Sequence, residues 1–160
     1  MLVADEPINV EQALEEDCWK KAMKVEMDAI VQNKTWEFSE LPRDHKAIGL
    51  KWVFKVKRDL AGNIVKHKAR LVAKGYAQIQ GIDYDEVFAP VARLETVWLS
   101  LALAAQGEWQ VLHMDVKSAF LNGELPEEVY VQQPPGFSDP KMTGKVLRLK
   151  KALYGLKQAP

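Results

Sequence analysis

Two features of this sequence could do chemistry. One is an acid, Asp115, set between Met114 and Val116 at the end of the run Trp109-Gln-Val-Leu-His-Met-Asp-Val116. A carboxylate carried into an apolar layer is costly unless it is hydrogen-bonded, protonated or bound to a cation. It could cap a following helix. It could also be an oxygen ligand for Mg2+, a hard cation that keeps positions open for substrate phosphates. The residues by themselves leave both readings open. The second feature is concentrated positive charge: residues 46–74 hold nine Lys or Arg and one acid, Asp59, although the whole chain has a net charge of zero. Phosphate binding depends on such local excess rather than on the total. The same lysines could instead keep an edge hairpin soluble and unpaired.

The elements that must position these residues can be read from periodicity. From Asn9 to Gln32, apolar Ala13, Cys18, Ala22, Val25, Ala29 and Ile30 recur at helical spacing, which predicts one amphipathic helix started by Asn9. Thr35 to Phe38 reads as a short strand. Ile48 to Arg58 alternates Trp52, Phe54 and Val56 with Lys51, Lys55 and Lys57, the period of a half-buried strand. Turn residues Asp59-Leu-Ala-Gly-Asn63 follow, and Ile64 to Lys74 resumes the strand pattern, so a basic β-hairpin is expected. Gly75 to Pro90 reads as a loop anchored by Tyr76, Tyr84 and Phe88. Leu94 to Gln106 reads as a largely apolar, buried helix, and Trp109 to Val116 as a core strand that delivers Asp115. A short helical segment at Ser118–Asn122, a strand at Val129–Val131, a turn at Gln133–Gly136 and a stretch from Val146 to Lys151 in which Lys or Arg alternates with apolar residues complete an α+β order of elements.

Composition narrows the class. With 160 residues, 48% of them apolar, the chain can bury a core of ordinary domain size. Its longest apolar stretch, Val97 to Ala105, is too short to cross a bilayer, and no secretory leader is evident; a soluble chain without a membrane partner is expected. A single cysteine, Cys18, and three scattered histidines offer neither an internal disulfide nor a zinc-type ligand set.

Several longer motifs resemble those of copia-type retrotransposon reverse transcriptases. They are Lys68-Ala-Arg-Leu-Val-Ala-Lys-Gly75, Phe88-Ala-Pro-Val-Ala-Arg-Leu-Glu-Thr96, Leu112-His-Met-Asp-Val-Lys-Ser-Ala-Phe-Leu-Asn-Gly123 and Ala152-Leu-Tyr-Gly-Leu-Lys-Gln-Ala-Pro160. Lys34-Thr-Trp36 and Lys51-Trp-Val-Phe-Lys55 agree with them, and all stand in the family's order. The resemblance implies a partial right-hand polymerase fold, fingers plus an incomplete palm. Residues 1–18 would be an N-terminal extension and 19–160 a reverse transcriptase domain that stops before the Tyr-x-Asp-Asp hairpin. By the same resemblance Asp115 is the first catalytic carboxylate, the Val116 carbonyl is a second oxygen on its metal, and Phe120 lies where a ribose 2′ hydroxyl would project. Arg70 with Lys55 or Lys57 would hold the incoming triphosphate, beside Tyr154 and Gly155. Lys66, Lys68, Lys74, Lys157 and Gln158 would meet the nucleic acid. The implied cofactor of the complete enzyme is Mg2+. Its implied partners are an RNA or DNA template-primer, deoxynucleoside triphosphates and the remainder of a Pol polyprotein. The family's setting is a cytoplasmic particle, followed by the nucleus.

The sequence departs from that pattern in two places. Trp98 stands where a basic residue is expected in the second helix, and the 160 residues contain no Tyr-x-Asp-Asp; Asp83-Tyr-Asp-Glu86 lacks the paired aspartates and precedes Asp115. The chain alone is therefore expected not to polymerise. A non-catalytic nucleic-acid-binding remnant and a pseudogene product are the competing readings.

Overall fold

In the computed structural model, residues 6–85, 87, 92–114 and 125–159 are described. Their element order is α1 (Val10–Ala13), α2 (Asp17–Gln32), β1 (Trp36–Ser39), β2 (Leu50–Arg58), β3 (Ile64–Ala73), α3 (Leu94–Gln106), β4 (Tyr130–Val131) and β5 (Val146–Leu149). The architecture is α+β.

The Asn9 to Gln32 stretch forms two helices rather than one. Asn9 does cap the first, its side chain accepting from the Gln12 N–H at 2.9 Å. The break falls at Leu14–Glu16: the backbone turns extended at Glu16, and Asp17 opens the new helix with its carboxylate at the positive end. Trp19, Met23 and Ile30 on α2 are buried. The Trp19 ring meets Phe54 and His67 edge-on, with centroids 5.2 and 4.8 Å away, which seats the helix on the hairpin. Truncating such a ring to alanine costs about 3–5 kcal/mol.

The hairpin is the main positioning element, and it forms as the alternation requires. Strands β2 and β3 pair antiparallel, Trp52 opposite Leu71, Phe54 opposite Ala69 and Val56 opposite His67. These pairs make the inner face, where Trp52, Phe54, Ala69 and Leu71 are buried. The connecting turn is closed by Asp59, whose carboxylate accepts from the N–H groups of Ala61 and Asn63 at 3.0 and 2.8 Å, and Gly62 takes φ +86° there, a conformation suited to glycine.

A second sheet has the order β1-β5-β4, all antiparallel neighbours. Two backbone bonds join it to the segment leading into β2, Ile48 N–H to Tyr130 C=O at 2.8 Å and Gln132 N–H to Ile48 C=O at 2.9 Å. The Trp52 indole N–H adds a bond to the Pro135 carbonyl at 2.9 Å. One apolar cluster, with Trp19, Ile48, Leu71, Val131, Leu147 and Leu153 at its centre, runs through both sheets and α2.

Three expectations are corrected. Helix α3 forms at the expected residues but is exposed: Ala104 is its one buried residue among those described, and Trp98 is 62% exposed. Apolar composition indicates that a helix has something to pack against without supplying it, and no described element covers this one. Residues 109–114 are not a strand, and Trp109, Val111, Leu112 and Met114 are exposed. An extended segment becomes a strand only when a neighbour takes its N–H and C=O groups, and no described strand lies beside this one. Tyr76, expected to anchor its loop, is 77% exposed; the short 3-10 turn Gly75–Ala77 buries Gly75 instead. Phe88 and the segment Ser118–Asn122 lie outside the described residues.

Candidate nucleotide and nucleic-acid site

Because side chains alternate across a strand, the register that places the apolar pairs inward also fixes the outer face. There Lys51 lies opposite Val72, Val53 opposite Arg70, Lys55 opposite Lys68 and Lys57 opposite Lys66. Six cations, Lys51, Lys55, Lys57, Lys66, Lys68 and Arg70, thus share one face of the hairpin, two of their pairings being lysine against lysine. Like charges directly opposite destabilise a sheet. Lys55 is the one member of the six with an ion pair among the described residues, its ammonium lying 2.8 Å from a carboxylate oxygen of Glu6. Lys68 shows the strain of the arrangement: burial, and then the positive charge of Arg70, Lys57 and Lys66, lower its pKa, while Glu26 opposes the shift.

Arg70 meets the C-terminal segment. Its guanidinium carbon lies 5.5 Å from the centre of the Tyr154 ring, a cation–π contact that also orients the guanidinium. Its Nε is buried with no hydrogen-bond partner among the described residues, so any anion bound here would meet the guanidinium through its terminal nitrogens. The Ala73 N–H donates to the Tyr154 carbonyl at 2.7 Å, so the segment is held as an addition to the free edge of β3.

Glycine is required at the next contact. Gly155 has φ +86°, and a Cβ on it would overlap the Ala73 carbonyl oxygen and lie 2.6 Å from a Val72 methyl carbon. A Cβ on Gly75 would overlap the Gly155 carbonyl oxygen. The sequence motifs ending at Gly75 and containing Gly155 therefore meet through bare backbone.

Past this contact, two glutamines join the loop to the segment. Gln78 is buried; its Oε1 accepts from the Lys157 N–H at 2.7 Å and its Nε2 donates to Gln158 Oε1 at 2.9 Å. Gln158 Nε2 donates in turn to the Asp83 carbonyl at 2.9 Å. Lys157 points to solvent and Lys74 is half-buried next to Gly49.

The structure thus brings Lys55, Lys57, Lys66, Lys68 and Arg70 onto one face, sets Tyr154 and Gly155 against β3, and ties Lys157 and Gln158 to the Gln78–Asp83 loop. Asp115, Val116 and Phe120 lie outside the described residues. Among the described residues no group of three or more His, Cys, Asp or Glu could hold a metal ion, and no helix is long and apolar enough to cross a membrane.

Three participants carry no signal in the sequence. Gln78 sits in an irregular loop, and Glu6 lies far along the chain from the lysine it pairs with. Glu26 lies on α2, one carboxylate oxygen accepting from the free Leu71 N–H at 3.4 Å. Burial raises its pKa, opposed by that N–H and by the charges of Arg70 and Lys68.

Residues 33–160 match the family described as reverse transcriptase (RNA-dependent DNA polymerase). The whole chain is 43% identical to the Retrovirus-related Pol polyprotein from transposon TNT 1-94 of Nicotiana tabacum, covering 12% of that protein. Over 97% of its length it is 44% identical to the corresponding polyprotein from transposon RE1 of Arabidopsis thaliana, covering 11% of it. It is 32% identical to the Transposon Ty1-ER2 Gag-Pol polyprotein of Saccharomyces cerevisiae, covering 9% of it. The chain therefore spans about an eighth or less of the relatives it matches, and no solved structure matches it. A match over residues 33–160, together with plant transposon Pol polyproteins similar along the chain, establishes that it belongs to the reverse transcriptase (RNA-dependent DNA polymerase) family as a segment of the copia-type retrotransposon kind.

Proposed function

We propose that residues 19–160 are the fingers and first part of the palm of a right-hand polymerase, preceded by an extension at 1–18. In the complete protein they would take part in template-directed nucleotidyl transfer on an RNA or DNA template-primer. The observation that carries this reading is the six-cation face of the hairpin with Arg70 laid over Tyr154. Arg70 and Lys55 or Lys57 would bind the triphosphate of the incoming deoxynucleotide, Arg70 through its planar fork and the lysine as a point charge. Tyr154 and Gly155 would pack beside its base, with Phe120 against its sugar. Lys66, Lys68, Lys74, Lys157 and Gln158 would hold the nucleic acid.

The Asp115 carboxylate and the Val116 carbonyl are hard oxygen donors of the kind that Mg2+ takes, so the donor chemistry fits. Two such ions, when bound, activate the primer 3′ hydroxyl and stabilise the leaving pyrophosphate. The sequence offers no Tyr-x-Asp-Asp carboxylates beside Asp115, so the 160 residues by themselves should not extend a primer.

The test is a chimera in which these 160 residues replace the corresponding segment of the tobacco polyprotein. It should extend a primer with Mg2+ and deoxynucleotides, and Asp115→Asn should abolish extension. Undiminished extension by the Asp115→Asn chimera would overturn the assignment. A second reading, nucleic-acid binding by charge alone, is favoured by Lys57, Lys66 and Lys68, which form no ion pair among the described residues. Under that reading binding depends steeply on salt and is indifferent to Mg2+ and to nucleotide identity.

A further inference from the structure

The Glu6 carboxylate bridges two donors on the outer edge of the hairpin. One oxygen lies 2.8 Å from the Lys55 ammonium and the other accepts from the Val56 backbone N–H at 3.0 Å. Pro7, next in the chain, is buried and anchors the contact. These two hydrogen bonds, Lys55 first, hold the Glu6 carboxyl below its usual range. An ammonium and an amide N–H converging on two oxygens of one anion is equally the geometry that receives two phosphate oxygens. Lys68 lies directly across the sheet from Lys55, so the surrounding charge favours an anion of more than one negative charge over a single carboxylate.

We propose that the Lys55 ammonium and the Val56 N–H form a phosphate-oxygen subsite that the chain fills with its own Glu6 carboxylate, which an arriving phosphate must displace. This rests on the reading of the hairpin face as a phosphate-binding surface and adds to it an internal competitor. A nucleotide and a nucleic-acid backbone both carry such a phosphate, and the two probes below separate them.

The 160-residue chain is titrated with inorganic tripolyphosphate and, separately, with a labelled single-stranded oligonucleotide. The variants are Glu6→Gln, Glu40→Gln and Glu6→Gln in a Lys55→Gln background. Glu40→Gln removes the same charge from an acid paired instead with Lys145, at 3.8 Å. An exposed ion pair of this kind is weak, so Glu6→Gln should tighten binding about two- to fivefold. Glu40→Gln should gain less, and the gain should vanish without Lys55. A gain with tripolyphosphate assigns the subsite to a nucleotide; a gain with the oligonucleotide alone assigns it to a backbone phosphate. Equal affinities of wild type and Glu6→Gln, a gain that survives Lys55→Gln, or no binding of either probe would overturn the inference. If Glu6→Gln changes nothing while replacing Lys66 and Lys68 abolishes binding, the phosphate-binding face stands and only the internal competitor is lost.

Discussion

Replacing Lys66 and Lys68 together by glutamine should weaken nucleic-acid binding and stabilise the fold, two effects of opposite sign with one cause. Lys66 faces Lys57 and Lys68 faces Lys55 across the hairpin, so the double variant removes both like-charge pairs while keeping the length of each side chain. Each phosphate neutralised on a single strand contributes about 0.7 to the slope of log affinity against log salt. If all six cations of the face engage phosphates, the slope is about −4, and affinity falls roughly 300-fold between about 50 and 200 mM salt. With two removed the slope is nearer −3 and the fall roughly 50-fold. Relief of repulsion contributes a few tenths of a kcal/mol per pair. For a chain of this size that raises Tm by about 1–3 °C, with a further gain because Lys68 no longer holds a charge against burial. Fluorescence anisotropy at several salt concentrations and a thermal melt measure the two quantities. An unchanged salt slope, or a fall in Tm with weaker binding, would refute the assignment of this face to phosphate.

Gly155→Ala should destabilise the chain by about 2 kcal/mol or more, since it strains the backbone at positive φ and drives a methyl into Ala73 and Val72; a urea melt reads this directly. Gln78→Ala leaves the Lys157 N–H and the Gln158 side chain without their partner, so about 1–3 kcal/mol is lost, and amide exchange at Lys157 should accelerate before global unfolding. Glu26 has its pKa raised in the folded chain, mainly by burial. Folding then takes up protons between its ordinary and raised values, and stability falls as pH rises through that window. Glu26→Gln should therefore be more stable than wild type at pH 7 and equal to it at pH 4, as read from Tm at both pH values; equal Tm at pH 7 would contradict the burial argument.

The hairpin was legible because alternation, turn residues and β-branched or aromatic inner positions all agreed. Trp52, Phe54 and Val56 point inward together, and from that the cationic face follows by necessity. The cap at Asn9 was legible for the same local reason. What could not be read was long-range: Arg70 on Tyr154, Gly75 against Gly155 and Gln78 between Lys157 and Gln158 join residues far apart in sequence, and no period reports them. Periodicity was misleading at Leu14–Glu16, where the chain turns between two helices although the apolar spacing runs on through it. At α3 and residues 109–114, apolar content led to an expected buried helix and core strand, because composition is silent on whether a neighbour is supplied, and among the described residues none is. Trp98 is accordingly an exposed indole.

Arg70 in the tobacco chimera offers the sharpest measurement. Arg70→Lys keeps the charge but loses the planar fork and its stacking on Tyr154. If the hairpin face holds the incoming triphosphate, the KM for deoxynucleotide in primer extension should rise roughly tenfold or more, with template-primer affinity unchanged. A KM equal to that of the parent chimera would contradict the central claim.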